Sequence, residues 1–336
     1  MFIITSYGLA VVFCVITMLC WGSWANTQKL TTDGWRFELF YWDYVIGVVL
    51  LSLLLAFTMG SIGDEGRPFM TDLAQASSGN IGLAILGGVL FNLANILLVA
   101  AIGIAGLAVA FPTGIGLSLV IGVVVNYLDR PEGNAPLLFG GVALVTVAIL
   151  LNAYAYKRAS SGEGKTSTKG LLLAIVAGCL MGLFYKYVAN SMFPDFRVPE
   201  AGKLSPYTAV FIFSLGILLS NLVFNTLLMR FPFEGAPVSF GDYLKARSRN
   251  HWMGIIGGVI WCVGMSFSIL ASDEAGPAVS FGLGQGATIV AALWGIYVWK
   301  EFRGAPAGTS TILNIMLVCY VVGLGAIVYA GLPPAN

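Results

Sequence analysis

Ten apolar runs, each about as long as a helix that crosses a bilayer, leave this chain few ways to fold. They lie at roughly 5–28, 38–59, 80–102, 107–128, 136–156, 169–191, 207–229, 252–272, 278–299 and 310–331. About 20 apolar residues in a helix cover the hydrocarbon core, and only helices and closed barrels satisfy their own backbone there. Composition agrees: 58% of the 336 residues are hydrophobic and 10% charged, against about 25% charged in a soluble domain. The reading is an all-α integral membrane protein, multi-pass in the plasma (inner) membrane. Met1-Phe2-Ile3-Ile4 lacks a positive n-region, so the first run reads as a retained helix rather than a cleaved signal peptide.

Sliding the chain 170 positions against itself aligns Gly87, Gly88, Val89, Phe111, Gly114 and Gly116 with Gly257, Gly258, Val259, Phe281, Gly284 and Gly286. Such self-similarity is the mark of a duplication. Residues 1–156 form one five-helix repeat, 157–168 a polar cytoplasmic linker and 169–336 the second repeat. An odd number of helices per half inverts the second copy, giving inverted repeats. The first, fifth, seventh and ninth connections hold twelve Lys and Arg, the opposite side four. Cytoplasmic loops carry the excess, so both termini lie outside.

The repeat pairs two loosened helices, Phe111-Pro112-Thr113-Gly114 and Phe281-Gly282-Leu283-Gly284-Gln285-Gly286. Interrupted helices in corresponding positions mark solute sites in transporters, because their freed backbone faces a cavity near the midplane. The second break, with Gln285, is expected to read the solute, and the first mainly to bend its helix while offering the Thr113 hydroxyl. Asn92, Asn95 and Gln285 place amides at membrane depth, where they suit a neutral polar solute or bond neighbouring helices. Trp24 and Trp261 offer flat faces with polar tips, for stacking or for lipid contact. Lys186 either reaches the solute or snorkels outward. Asp43, one turn inside the second helix, is the candidate for carrying a proton or else caps its helix at the interface.

Other functions find little support. A net charge of +1 without a basic aromatic patch argues against nucleic acid. No Walker motif is present, the five cysteines are unclustered, and His251, the only histidine, has no metal-like or triad-like neighbours in sequence. Neither an enzyme nor a bound cofactor or metal is expected.

With those residues in hand, the chain resembles the plant ureide permeases and their bacterial relatives, near the glucose/ribose porters of the drug/metabolite transporter superfamily. Trp21-Gly22-Ser23-Trp24-Ala25, Tyr41-Trp42-Asp43-Tyr44, Leu93-Ala94-Asn95, Tyr207-Thr208-Ala209 and Leu293-Trp294-Gly295-Ile296 carry the likeness. It implies a drug/metabolite transporter-like fold with a central cavity, and proton-coupled uptake of a small-molecule solute. It also strengthens Trp24, Asp43 and Asn95. Phe184-Tyr185-Lys186 and Gly264-Met265-Ser266 depart from the plant pattern, so the solute is read broadly as a ureide, oxo-heterocycle or nucleobase. The alternatives are a proton-coupled monosaccharide porter and a drug or metabolite exporter. The fifth and tenth helices are expected to support a homodimer.

Overall fold

The computed structural model of the chain describes residues 1–32, 34–159, 167–233 and 235–332; residues 160–166 of the expected linker lie outside the described residues. In order it forms α1 (Tyr7–Ser23), α2 (Asn26–Lys29), α3 (Phe37–Phe57), α4 (Phe69–Gln75), α5 (Ser78–Ala105), α6 (Leu107–Asp129) and α7 (Ala135–Ala159). There follow α8 (Thr168–Ser191), α9 (Pro206–Arg230), α10 (Phe240–Leu244), α11 (Ser248–Ala275), α12 (Pro277–Gly284), α13 (Ala287–Leu293), a π turn (Trp294–Val298) and α14 (Thr309–Ala330). Among the described residues, ten spans long and apolar enough to cross a membrane result. One joins α1 to α2 and another joins α12, α13 and the π turn. All their ends fall within four residues of the apolar runs.

Local sequence explains where the spans start and turn. The hydroxyls of Ser6, Ser77, Ser167 and Ser205 each accept from the backbone N–H three residues on, capping α1, α5, α8 and α9. Single residues join α5 to α6 and α11 to α12: Gly106 at φ +80° and Gly276 at φ +76°, a conformation in which a Cβ is strained. The two loosened stretches differ. Helix α6 runs through Pro112, which removes one N–H bond, whereas the later stretch breaks at Gln285-Gly286 between α12 and α13.

Packing repeats in matched pairs. Helix α5 lies on α8 and α9 as α11 lies on α1 and α3, while α3 with α9 and α7 with α14 close the bundle. Glycines permit the crossings: a methyl on Gly258 or Gly47 would collide with the Tyr44 or Ile255 carbonyl, and one on Gly88 or Gly216 with that of Phe213 or Ile85. Lipid tails are as apolar as Leu, so close backbone approach supplies what the hydrophobic effect cannot. Helices α7 and α14 sit at the edge, with Leu150, Tyr154, Val318 and Val321 facing outward.

Candidate functional site

A cavity of about 400 Å³ lies between the spans containing α1, α3, α5, α6, α8, α11 and α13. Its deep wall carries Trp261 at 4%, Asn95 at 6% and Gln285 at 7% exposure. Trp24, Gln28 and Phe37 also line it, next in sequence to Lys29 and Arg36. Aromatic rings hold one another in place around it. Trp261 packs on Phe91 at 4.4 Å and on Trp21 at 6.0 Å between ring centroids, and Trp24 packs on Tyr44 at 4.7 Å.

Polar groups are few, and several are unused. Asn95 Nδ2 donates to the Tyr41 hydroxyl at 3.1 Å, which orients the amide and leaves Oδ1 for the cavity. The Gln285 amide and the indole N–H groups of Trp24 and Trp261 make no hydrogen bond within the described residues. Gln285 is held by its backbone instead, its carbonyl accepting from Thr288 Oγ1 at 3.0 Å beside the helix break. None of the described residues lining this cavity is ionisable. Flat faces with donors and an acceptor, and no charge, suit a neutral planar solute.

Away from the basic end, hydrogen bonds and a ring contact tie the helices together. Tyr185 donates to the Ser268 carbonyl at 3.0 Å, Ser280 Oγ donates to the same carbonyl at 2.6 Å, and Phe13 stacks on Phe267 at 4.3 Å. Beyond that layer Lys186 Nζ pairs with Asp129 at 2.8 Å.

Four of the sequence candidates therefore meet in the cavity: Trp24, Asn95, Trp261 and Gln285. The other three do not. Asn92 donates to Ser220 Oγ at 2.9 Å between α5 and α9, and Thr113 Oγ1 donates to the Val109 carbonyl of its own helix at 2.8 Å. Lys186 is turned to Asp129.

Asp43 lies off the cavity wall, 2% exposed, where Gly254 of α11 leaves room for it. The Tyr243 hydroxyl donates to Oδ1 at 2.5 Å, and His251 Nδ1 sits 2.9 Å from Oδ2 and 3.1 Å from Oδ1. Burial pushes the Tyr243 phenol well above its ordinary value, and the Asp43 carboxylate adds to that. In sequence His251 has no metal-like or triad-like neighbours, and its partner Asp43 lies 208 positions away. The one available signal was an ionisable residue early in each of two spans.

Next to Gln28 in sequence, Lys29 Nζ meets Glu301 Oε1 at 2.8 Å, and the Tyr156 hydroxyl donates to Oε2 at 2.5 Å. Burial raises the Glu301 carboxyl, but the hydrogen bonds from Lys29 and Tyr156 and the Lys29 charge outweigh it and hold the group below its usual range. Among the described residues no cluster of His, Cys, Asp and Glu is arranged to hold a metal.

The family model described as ureide permease matches residues 40–165 and 153–330. The chain belongs to the ureide permease family. Its members are membrane transporters, not enzymes, which accords with ten spans around a cavity. It is 25% identical to Ureide permease 1 of Arabidopsis thaliana over 97% of this chain and 98% of that protein. Glucose uptake protein GlcU of Bacillus subtilis (strain 168) is 23% identical over 76% and 79% of the two chains. A solved crystal structure, 19% identical, covers 96% of this chain and 98% of its own with a TM-score of 0.63, and shares the fold.

Proposed function

We propose that this ureide permease family member is a proton-coupled importer of a small neutral solute of the ureide, oxo-heterocycle or nucleobase class, in an inward-facing state. The observation that carries the reading is the cavity itself: the Trp24 and Trp261 indoles and the Asn95 and Gln285 amides have unused polar ends, with no ionisable neighbour on the wall. A ring ureide has flat faces for stacking, N–H donors for Asn95 Oδ1 and carbonyl acceptors for the indoles and Gln285. The plant relatives' names support that class, and the bacterial glucose uptake protein supports monosaccharide as the rival.

The excess of Lys and Arg on the side that carries Lys29 and Arg36, next to Gln28 and Phe37 of the cavity wall, supports a cytoplasmic opening and termini outside. Matched packing, with Gly88 and Gly258 in corresponding contacts, supports two inverted halves. The proton is carried by Asp43 with His251: the carboxylate is buried, the imidazole is a quarter exposed, and Tyr44, next to Asp43, packs on Trp24.

A thermal-shift screen of purified protein against hydantoin, allantoin, uracil, glucose, ribose and a cationic drug tests the solute class. A ligand that binds only the folded state adds about 2.7 kcal/mol at a hundred times its Kd. Stabilisation by the ring ureides or uracil is expected. Stabilisation by the sugars alone would transfer the reading to the rival.

A further inference from the structure

A second pocket, of about 190 Å³, adjoins the central cavity and shares Gly22, Ala25, Phe111 and Ala291 with its wall. The rest of its wall is polar at one side, formed by Asn26, Lys29, Asn152, Tyr156, Trp299 and Glu301. Asn152 is the unexplained member. It is 5% exposed, and its amide makes no hydrogen bond through either end within the described residues. Buried polar groups are nearly always paired, since an unpaired one loses its water with nothing in return.

The pocket is also built rather than incidental. Trp299 Nε1 donates to Asn26 Oδ1 at 2.6 Å, Lys29 Nζ lies 4.7 Å over the Trp299 ring, and the Lys29–Glu301 pair lines the same wall. The chain that delivers Trp299 and Glu301 is irregular. It contains the π turn Trp294–Val298, then Lys300 at φ +54°, the one non-glycine among the described residues with positive φ. Such irregular backbone costs energy in a membrane span and tends to persist at functional places.

We propose that this pocket is a second solute station, which takes a neutral amide-bearing solute after it leaves Gln285 and before it passes the Lys29–Glu301 pair. The proposal rests on the transport reading above. Asn152 presents one donor and one acceptor end, the complement of a urea-type group. Fewer aromatic faces line this pocket than the central one, so it holds the solute more weakly, as release requires.

The test is 19F NMR of full-length protein labelled with 5-fluorotryptophan, the Trp24 and Trp299 resonances being assigned by Trp24→Phe and Trp299→Phe. Hydantoin is the probe. Both resonances should shift, Trp299 with the higher midpoint. In Asn152→Leu the Trp299 midpoint should rise about five- to tenfold, the worth of one hydrogen bond, with the Trp24 midpoint unmoved. A Trp299 resonance that stays fixed while Trp24 saturates overturns the station and leaves the transport reading standing. So does a Trp299 shift that follows the Trp24 midpoint and ignores Asn152→Leu. If hydantoin moves neither resonance, both readings fall for this class. Should Asn152→Leu fail to fold, Asn152→Ser and the wild-type titration decide.

Discussion

Replacing Asp43 with Asn and, separately, His251 with Ala parts the role of a charge from that of a hydrogen bond. In Asp43→Asn, Tyr243 keeps a carbonyl oxygen to donate to, and His251 Nδ1 can accept from the new NH2 in its other tautomer. The loss is then of the order of one neutral hydrogen bond, about 1 kcal/mol. His251→Ala instead leaves a carboxylate 2% exposed with Tyr243 as its remaining partner. Breaking a buried pair in that way costs about 3–5 kcal/mol. His251 is 25% exposed, so water can enter behind it and the lower end, about 3 kcal/mol, is expected. Unfolding in detergent near neutral pH reads this asymmetry, and equal losses would refute the buried-pair reasoning. Proteoliposomes read the coupling. Asp43→Asn should lose accumulation driven by a proton gradient while retaining solute exchange at equal pH. Gradient-driven accumulation that survives in Asp43→Asn rules out its coupling role.

Three further outcomes are expected. Gly258→Ala should destabilise the protein by about 1–3 kcal/mol, the usual range for overpacking, because the new methyl meets the Tyr44 carbonyl; an unchanged melting temperature would mean that the α3–α11 crossing yields freely. Gln285→Leu should bind solute about tenfold more weakly without loss of stability, since its amide bonds to nothing in the described protein; isothermal titration and melting curves together check both halves. Glu301 is held below its ordinary value of 4.5, so its stabilising effect is complete above that pH and is lost as pH falls through the depressed value. Glu301→Gln should flatten the acid side of the stability profile, and an unaltered slope would show the pairing with Lys29 and Tyr156 to be inconsequential.

The spans were legible because membrane helices must be apolar throughout, a signal that survives without knowledge of tertiary contacts. The cavity was half legible. Gln285 stood out beside its helix break, Trp24 beside small neighbours and Asn95 through the family resemblance, while Asn92 was named with them although only Asn95 reaches the cavity. Asn92 and Asn95 lie three residues apart, about 60° from one another around a helix, and the decision belongs to α9, which presents Ser220 to Asn92. Pro112 marked a loosened helix expected mainly to bend, and near the start of α6 it removes a single bond while the helix carries on. His251 and Tyr243 were invisible as partners of Asp43 because no local pattern records which span folds back on which. Asn152 was hidden for a different reason: a lone amide in a lipid-edge helix reads as packing until its lack of a partner is seen.

The contact of Gly258 with the Tyr44 carbonyl also sets a mechanical ratio. Helix α11 extends seven residues from Gly258 back to His251 and seventeen forward to Ala275, where Gly276 turns it into α12. At about 1.5 Å per residue the two arms measure roughly 10 and 25 Å. Pivoted there, the helix acts as an unequal beam: a 1 Å displacement at the His251 end swings the far end by about 2.4 Å. The far end feeds through a one-residue joint into the element that ends at Gln285, so a displacement beside Asp43 would be geared up before it arrived at the cavity wall.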